Sequence, residues 1–432
     1  MKDKSLKDRN LKIQIGLMVL IALLVGYFFG VNKVNYDWQN YKPQLQITSK
    51  EPPSGVIPVD FTPFWTVWQK LETSYYDKSK LNTQKMVNGA IEGMVQSIGD
   101  PYTLYLPPTQ NTNFKQGLSG EFDGIGAELT LNGKQLIVIA PLIGSPADKA
   151  GLKAGDAIMA IDGQSTSGMD LNTAVDKIRG PKGTTVTLTV LHKGDKNPTD
   201  ITITRDVITV KSVDGWVKPV SCSSGTCQVI DQSKATANGP YVAYIQLSQF
   251  GDNTNQEWTA VVNNIESQIK AGKQIKGVIL DVRNNPGGYL TDATFIASEF
   301  LNQGAPVVTE DDGIPADKQT LYATRTGVFA NTPVVVLINK GSASASEIVS
   351  GALRDNGRAK LVGETSFGKG TVQQAEDLGG GAGLHVTIAK WLTPNGTWVN
   401  GKGLTPDYTV ALNPKDPSED TQLEKAIEVL VQ

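Results

Sequence analysis

Between residues 240 and 410, short apolar runs alternate with segments of helical period, and this narrows the fold more than any other feature of the chain. Residues 241–247, 277–282, 333–339, 359–363 and 385–391 read as strands, with helices predicted over 255–271, 292–302 and 345–355. Such βα alternation predicts a largely parallel sheet covered by helices, with chemistry collecting in the loops at strand ends. A short amphipathic helix is predicted over 419–431.

The chain has 432 residues, well above the usual domain of roughly 100–150, so further folded units are expected upstream. Residues 117–208 read as a small, mainly β module with glycines at most corners. Before it, Phe64, Val67, Trp68, Leu71 and Tyr75, then Met86, Ala90, Ile91, Met94 and Val95, recur at helical spacing, so 57–116 is predicted to be helical, with an aromatic stripe used for packing. Residues 32–56 are polar and broken by Pro43, Pro52, Pro53 and Gly55, and read as a linker. Residues 211–239 read as an irregular insertion.

The N-terminus is basic at 1–12 and apolar from Ile13 to Val31, interrupted only by Gln14. Nineteen helical residues span roughly 28 Å, close to the ~30 Å hydrocarbon core. No small-residue cleavage site follows, so 13–31 is predicted to be an uncleaved transmembrane anchor, with 1–12 cytoplasmic and the remainder extracytoplasmic at a bacterial cell membrane. In that oxidising setting Cys222 and Cys227, the only cysteines, are expected to close a small disulfide loop; their spacing, without a nearby histidine, does not suit a metal. A net charge of −3 gives no reason to expect a nucleic-acid partner, and no cofactor is expected.

Two strand-end loops attract chemistry: 284–288, Asn-Asn-Pro-Gly-Gly, and 340–347, whose Ser342, Ser344 and Ser346 offer three hydroxyls beside a predicted helix start. Ser344 and Glu347 also fit a capping box. A serine needs a base, yet the chain has only two histidines, His192 in a predicted hairpin turn and His385 in an apolar strand where a structural role is expected. Lysine is the remaining base, provided burial keeps it neutral. Lys369, between Gly368 and Gly370, has Phe367 and Val372 as candidate apolar surroundings.

The motifs 124–127 (Gly-Ile-Gly-Ala), 145–152, 155–158 and 161–163 resemble a bacterial protease-type PDZ domain. That resemblance implies that Gly124, Ile125, Gly126 and Ala127 hold the carboxylate of a protein tail while the tail adds a strand to the module. Residues 342–355, Gly368-Lys369-Gly370-Thr371-Val372-Gln373, 281–288 and Asp100-Pro101-Tyr102-Thr103 resemble the C-terminal processing peptidases, or tail-specific proteases, over nearly everything from residue 60 onward. The resemblance implies a multidomain α/β protein: transmembrane helix, helical N-terminal segment, PDZ domain at 117–208, ClpP/crotonase-like α/β protease core at 209–415 and a C-terminal helix at 416–432. It also implies Ser344 as nucleophile, Lys369 as general base, Gln373 orienting that lysine, and an oxyanion held by the N–H of Ala345 with that of Gly287 or Gly288. Arg205 would couple tail binding to alignment, and the N-terminal helices would favour a homodimer. Substrates would be proteins or peptides with accessible C-terminal tails. Two other readings stand against it: a catalytically silent PDZ scaffold, and a serine hydrolase that uses His385.

Overall fold

A computed structural model describes residues 17–21, 23, 34–39, 42–47, 59–142, 144–223, 226–235, 239–314, 318–413, 416 and 419–431. Contacts divide the chain into residues 1–86 and 87–432.

In the N-terminal unit, residues 17–21 and 23 are helical; the rest of the expected span 13–31 lies outside the described residues. Among the described residues no helix is long and apolar enough to cross a membrane. The stretch read as a linker contains an antiparallel ribbon, β1 (Val34–Gln39) and β2 (Lys42–Ile47). Its strands are polar and one carries Pro43, which disguised them. Helix α1 (Thr62–Ser74) forms as predicted, with Pro63 in its first turn, where a missing N–H costs nothing. None of its residues is buried, so its aromatic stripe does not do the packing expected of it.

Helix α2 (Thr83–Gln96) is followed by a turn to Gly99, at φ 78°, and the chain then enters β3 (Leu104–Leu106) and α3 (Pro108–Ser119). Strands β4 (Glu121–Gly124) and β11 (Asp206–Thr209) pair into a two-stranded stalk. The β module between them has β5 (Ala127–Asn132), β6 (Gln135–Pro141), α4 (Pro146–Lys149), β7 (Ala157–Ile161), β8 (Gln164–Ser165), α5 (Leu171–Ile178), β9 (Thr185–Leu191) and β10 (Thr199–Thr204). Its sheet runs β10-β9-β7-β6-β5, leaving β5 at an edge. Leu136, Val138, Ile158, Leu188 and Val190 are wholly buried in a core of its own.

Most of the described residues of 211–239 are in regular strands. Strand β12 (Val213–Ser223) joins the large sheet antiparallel to β14 (Tyr241–Leu247), and β13 (Thr226–Val229) returns beside it. Gly215 and Pro219 are poor strand residues and hid it. Gly215 is nonetheless required, since a Cβ there would lie 2.5 Å from Val261 and 2.9 Å from the Tyr244 carbonyl. Cys222 and Cys227 face each other across β12 and β13 and are joined by a disulfide.

The core continues with α6 (Thr254–Lys270), β15 (Ile275–Asp281), α7 (Leu290–Ala297), β16 (Pro306–Asp311), β17 (Gln319–Tyr322), β18 (Val334–Ile338), α8 (Ala345–Asp355), β19 (Ala359–Gly363), β20 (Thr371–Gly379), β21 (Ala382–Leu392), β22 (Tyr408–Thr409) and α9 (Thr421–Val431). The large sheet has the order β13-β12-β14-β15-β18-β19-β22, parallel from β14 onward. Burial on both faces explains its continuously apolar strands. Val278, Leu280, Val336 and Ile338 pack with Trp258, Phe300 and Val349, whereas Ile279, Val335 and Leu337 pack under Ala426 and Ile427 of α9. The predicted C-terminal helix therefore belongs to the core. So does β3, which pairs with β21 in the second sheet although its residues were counted with the N-terminal helices. Parallel registers bring the loops after β14, β15, β18 and β19 to one edge, the usual place for a site in an α/β sheet.

Candidate active site

The three hydroxyls after β18 have different fates. Ser342 Oγ donates to the Val282 carbonyl (2.8 Å) and accepts from the Asn339 N–H (2.9 Å), and Ser346 Oγ donates to the Asn285 carbonyl (2.9 Å); both residues are wholly buried. Ser344 alone of the three lines a cavity of about 510 Å³, shared with Lys369, Gln373, His385, Tyr102, Gly287 and Gly288. Its backbone is at φ 54°, ψ −115°, a conformation that costs a non-glycine residue roughly 1–3 kcal/mol.

What holds that conformation is Glu347, whose side chain is fully buried. One carboxylate oxygen accepts the N–H groups of Ser344 and Lys369, each at 2.9 Å. The other accepts the Ser366 hydroxyl (2.6 Å) and the Gly368 N–H (2.8 Å). The predicted capping glutamate thus also fastens the lysine loop to the serine loop, a role the capping pattern gives no sign of. Gly368, at φ 89°, fits because a Cβ would meet the backbone of Lys402 and Gly403 at 2.9 and 2.8 Å.

The Lys369 amine lies 5.2 Å above the Tyr102 ring and makes no hydrogen bond or ion pair with the described residues. Burial holds it below the usual lysine range, opposed by the charges of Asp100 and Glu347. Its apolar wall differs from expectation: Phe367 is 55% exposed, and Tyr102 takes its place beside Val372. Tyr102 arrives there because Asp100 accepts its N–H (3.0 Å) and the Thr103 hydroxyl (2.6 Å), while Thr103 Oγ1 accepts the Thr387 N–H of β21 (3.1 Å). The sequence held the signal, as the Asp-Pro-Tyr-Thr motif was visible, but not the contact.

No hydrogen bond joins Ser344 to Lys369, and none joins Gln373 to Lys369. Gln373 donates instead to Thr371 (2.8 Å) and Thr387 (3.2 Å), so the lysine-orienting contact implied for it is not made in this arrangement. His385 packs as expected, but at the cavity wall. It lines the cavity edge-on to Phe114, with ring centroids 4.4 Å apart, and burial followed by the nearby Lys369 charge pushes its pKa down. It has no hydrogen-bonding partner among the described residues to orient it as a triad histidine. His192 bonds Asp156 (2.8 Å) within the β module.

The two candidate oxyanion glycines separate. Gly287 donates its N–H to Asn285 Oδ1 (2.9 Å), whereas the Gly288 N–H has no partner among the described residues. A Cβ on Gly287 would come 2.8 Å from that of Ser344, and one on Gly288 would fall 1.7 Å from the Phe250 carbonyl, so neither position admits a side chain. Ala345, at the first turn of α8, also lines the cavity.

In the β module, 124–127 leads into the edge strand β5, beside α5. Gly126, at φ 74°, accepts the Ser145 hydroxyl (2.9 Å) and the Leu142 N–H (2.8 Å) at its carbonyl, and Ile125 accepts the Ala147 N–H (2.8 Å). Arg205 is 7% exposed and donates to the carbonyls of Lys177, Ile178 and Thr185 and to the Thr184 hydroxyl. It pins the end of α5 to β9, and all these bonds stay inside the module.

A parallel-sheet core with a serine and a half-buried lysine on one cavity, joined to a module whose strand β5 lies at a sheet edge, fits the class of serine-type peptidases that carry a PDZ domain. The comparisons agree. The model of peptidase family S41 matches residues 241–410, a PDZ-domain model matches 137–191, and that of the activating protease CtpB N-terminal domain matches 21–109. The chain is 39% identical over 339 residues to carboxy-terminal processing protease CtpB of Bacillus subtilis, covering 78% of this chain and 65% of that relative. It is 38% identical over 348 residues to the carboxy-terminal-processing protease of Bartonella bacilliformis, covering 80% and 74%. A solved Bacteroides fragilis structure assigned to the S41 proteases shares the fold at 15% identity and a TM-score of 0.53, over 88% of this chain and 99% of that one. The chain belongs to peptidase family S41, among its carboxy-terminal processing proteases.

Proposed function

We propose that the chain is a membrane-anchored, extracytoplasmic endopeptidase that recognises protein tails and cuts peptide bonds with Ser344 and Lys369. One observation carries this: the one serine of its loop that lines the cavity and a half-buried lysine with no hydrogen bond or ion pair among the described residues share that cavity and one backbone anchor. Neutral Lys369 takes the Ser344 proton as Oγ bonds to the substrate carbonyl carbon. The resulting oxyanion is received by the N–H groups of Ala345 and Gly288. As the C–N bond breaks, the lysine ammonium returns its proton to the leaving amine. Water then attacks the acyl-enzyme, giving one proton to Lys369; as the C–O bond to Ser344 breaks, the lysine ammonium passes that proton to Oγ, and the acid product leaves and ionises in solvent.

Ser344 and Lys369 are not hydrogen-bonded at rest, so the proposal includes an alignment step in which a tail, added to β5 with its carboxylate at 124–127, draws the dyad together and lets Gln373 reach the lysine. Arg205 contributes by fixing α5, one wall of the groove. The basic 1–12 and apolar 13–31 segments support anchoring, and the uncovered aromatic face of α1 supports a homodimer. The test is cleavage of an unfolded protein with an apolar tail: wild type cuts, while Ser344→Ala and Lys369→Ala do not. Equal cleavage by all three would remove the dyad, and loss of activity in His385→Ala with Lys369→Ala still active would favour the histidine reading.

A further inference from the structure

Asp292, in the first turn of α7, is 5% exposed. Its Oδ1 accepts the Asn255 amide N–H at 2.9 Å, while its Oδ2 and Asn255 Oδ1, both buried, have no partner among the described residues. Two buried acceptors left over beside one amide–carboxyl bond are satisfied together by a single proton on Oδ2, donated to Asn255 Oδ1. The amide and the acid then exchange two hydrogen bonds in a ring. We propose that Asp292 keeps its proton in the folded enzyme and acts as a positioning residue, its acid–amide pair with Asn255 clamping the segment that bears the Gly288 N–H.

The pair extends a row of ties between the same two segments. Phe250 donates to the Gly287 carbonyl (3.0 Å), Tyr289 donates to the Phe250 carbonyl (3.1 Å), and the Tyr289 hydroxyl donates to Asp252 (2.9 Å). Asn255 and Asp292 come next along both chains. A helix start ordinarily favours a carboxylate. Here ionisation would leave Asp292 with one donor for two buried oxygens, facing the Asn255 carbonyl oxygen and the charge of Asp252. Burial raises its pKa, Asp252 adds to the rise, and the Asn255 bond opposes it. The other facing group, the Tyr289 hydroxyl, is pushed up to about 12 by burial and Asp252, and stays neutral through the working range. Because the folded-state value is raised, the clamp is complete at low pH and weakens as pH climbs through that value.

The protonation state is independent of the proposed chemistry; its link to turnover rests on that reading. Infrared difference spectra of the full-length chain, wild type minus Asp292→Asn, are recorded at about pH 6, some two units above the ordinary carboxylate value. A deuterium-sensitive carboxylic-acid carbonyl band is expected from residue 292. A carboxylate signature alone overturns the proposal, whatever becomes of Ser344. In the second measurement, Asp292→Asn, which keeps an amide donor at the same place, should retain activity better than wild type as pH rises, by about twofold or more at the alkaline end, whereas Asp292→Ala should lose about tenfold at low pH, on the scale of one lost buried hydrogen bond, with the gap to wild type narrowing as pH rises. Superimposable profiles for wild type and Asp292→Asn would overturn the positioning role.

Discussion

The PDZ module and the protease core differ in how firmly they hold the backbone segments proposed above to meet a peptide. In the module, 124–127 precedes a strand at an open sheet edge, held by a few local bonds to 142–147. In the core, Gly288 in its loop and Ala345 at the start of α8 are braced through Asn285, Phe250 and Glu347. An edge can admit many tails because main-chain pairing is indifferent to sequence, whereas an oxyanion donor displaced by about 1 Å forfeits much of its effect. The bracing follows the tolerance of the task.

The sharpest way to break this comparison is Ser344→Ala. Turnover should fall by about 10⁴-fold or more, while the affinity of a tail peptide, read by fluorescence titration, stays within about twofold. A matching loss of tail affinity would show that the two sites are not separable. Glu347→Ala should come next, since it strips two buried and two half-buried donors of their acceptor; a loss of about 3 kcal/mol or more is expected in urea unfolding, with the transition of the core affected and not that of the module. Gly126→Ala attacks the other side. A Cβ there would lie 2.5 Å from that of Ser145 at a φ of 74°, so tail affinity should weaken about tenfold with little change in the cleavage rate at saturating substrate. The smallest effect is expected from Asp100→Asn. Its charge favours the ammonium of Lys369, so removing it should move the rising limb of the pH–rate profile to lower pH; a move upward would contradict the assigned sign.

Much of the fold was legible because the parallel strands are buried on both faces and therefore read as unbroken apolar runs, as in 277–282 and 333–339. Strand β12 was not, since Gly215 and Pro219 interrupt its propensity and only its partners fix it in the sheet. Within the site, spacing left Ser342, Ser344 and Ser346 equivalent. Burial separates them, because two hydroxyls are spent on carbonyls of neighbouring loops. Tyr102 was out of reach for another reason: its place over Lys369 depends on pairing between β3 and β21, which are far apart in sequence, and local pattern carries no record of such closures. Phe367 was misplaced by the same limit, its neighbour Lys369 facing inward while it faces solvent.

The shared oxygen of Glu347 has a mechanical meaning as well as a chemical one. Ser344 and Lys369 hang by their amides from one point, 2.9 Å from each. A displacement of that oxygen acts on the backbone of both residues at once. In the proposed mechanism the proton would cross between two side chains whose backbones share that one anchor.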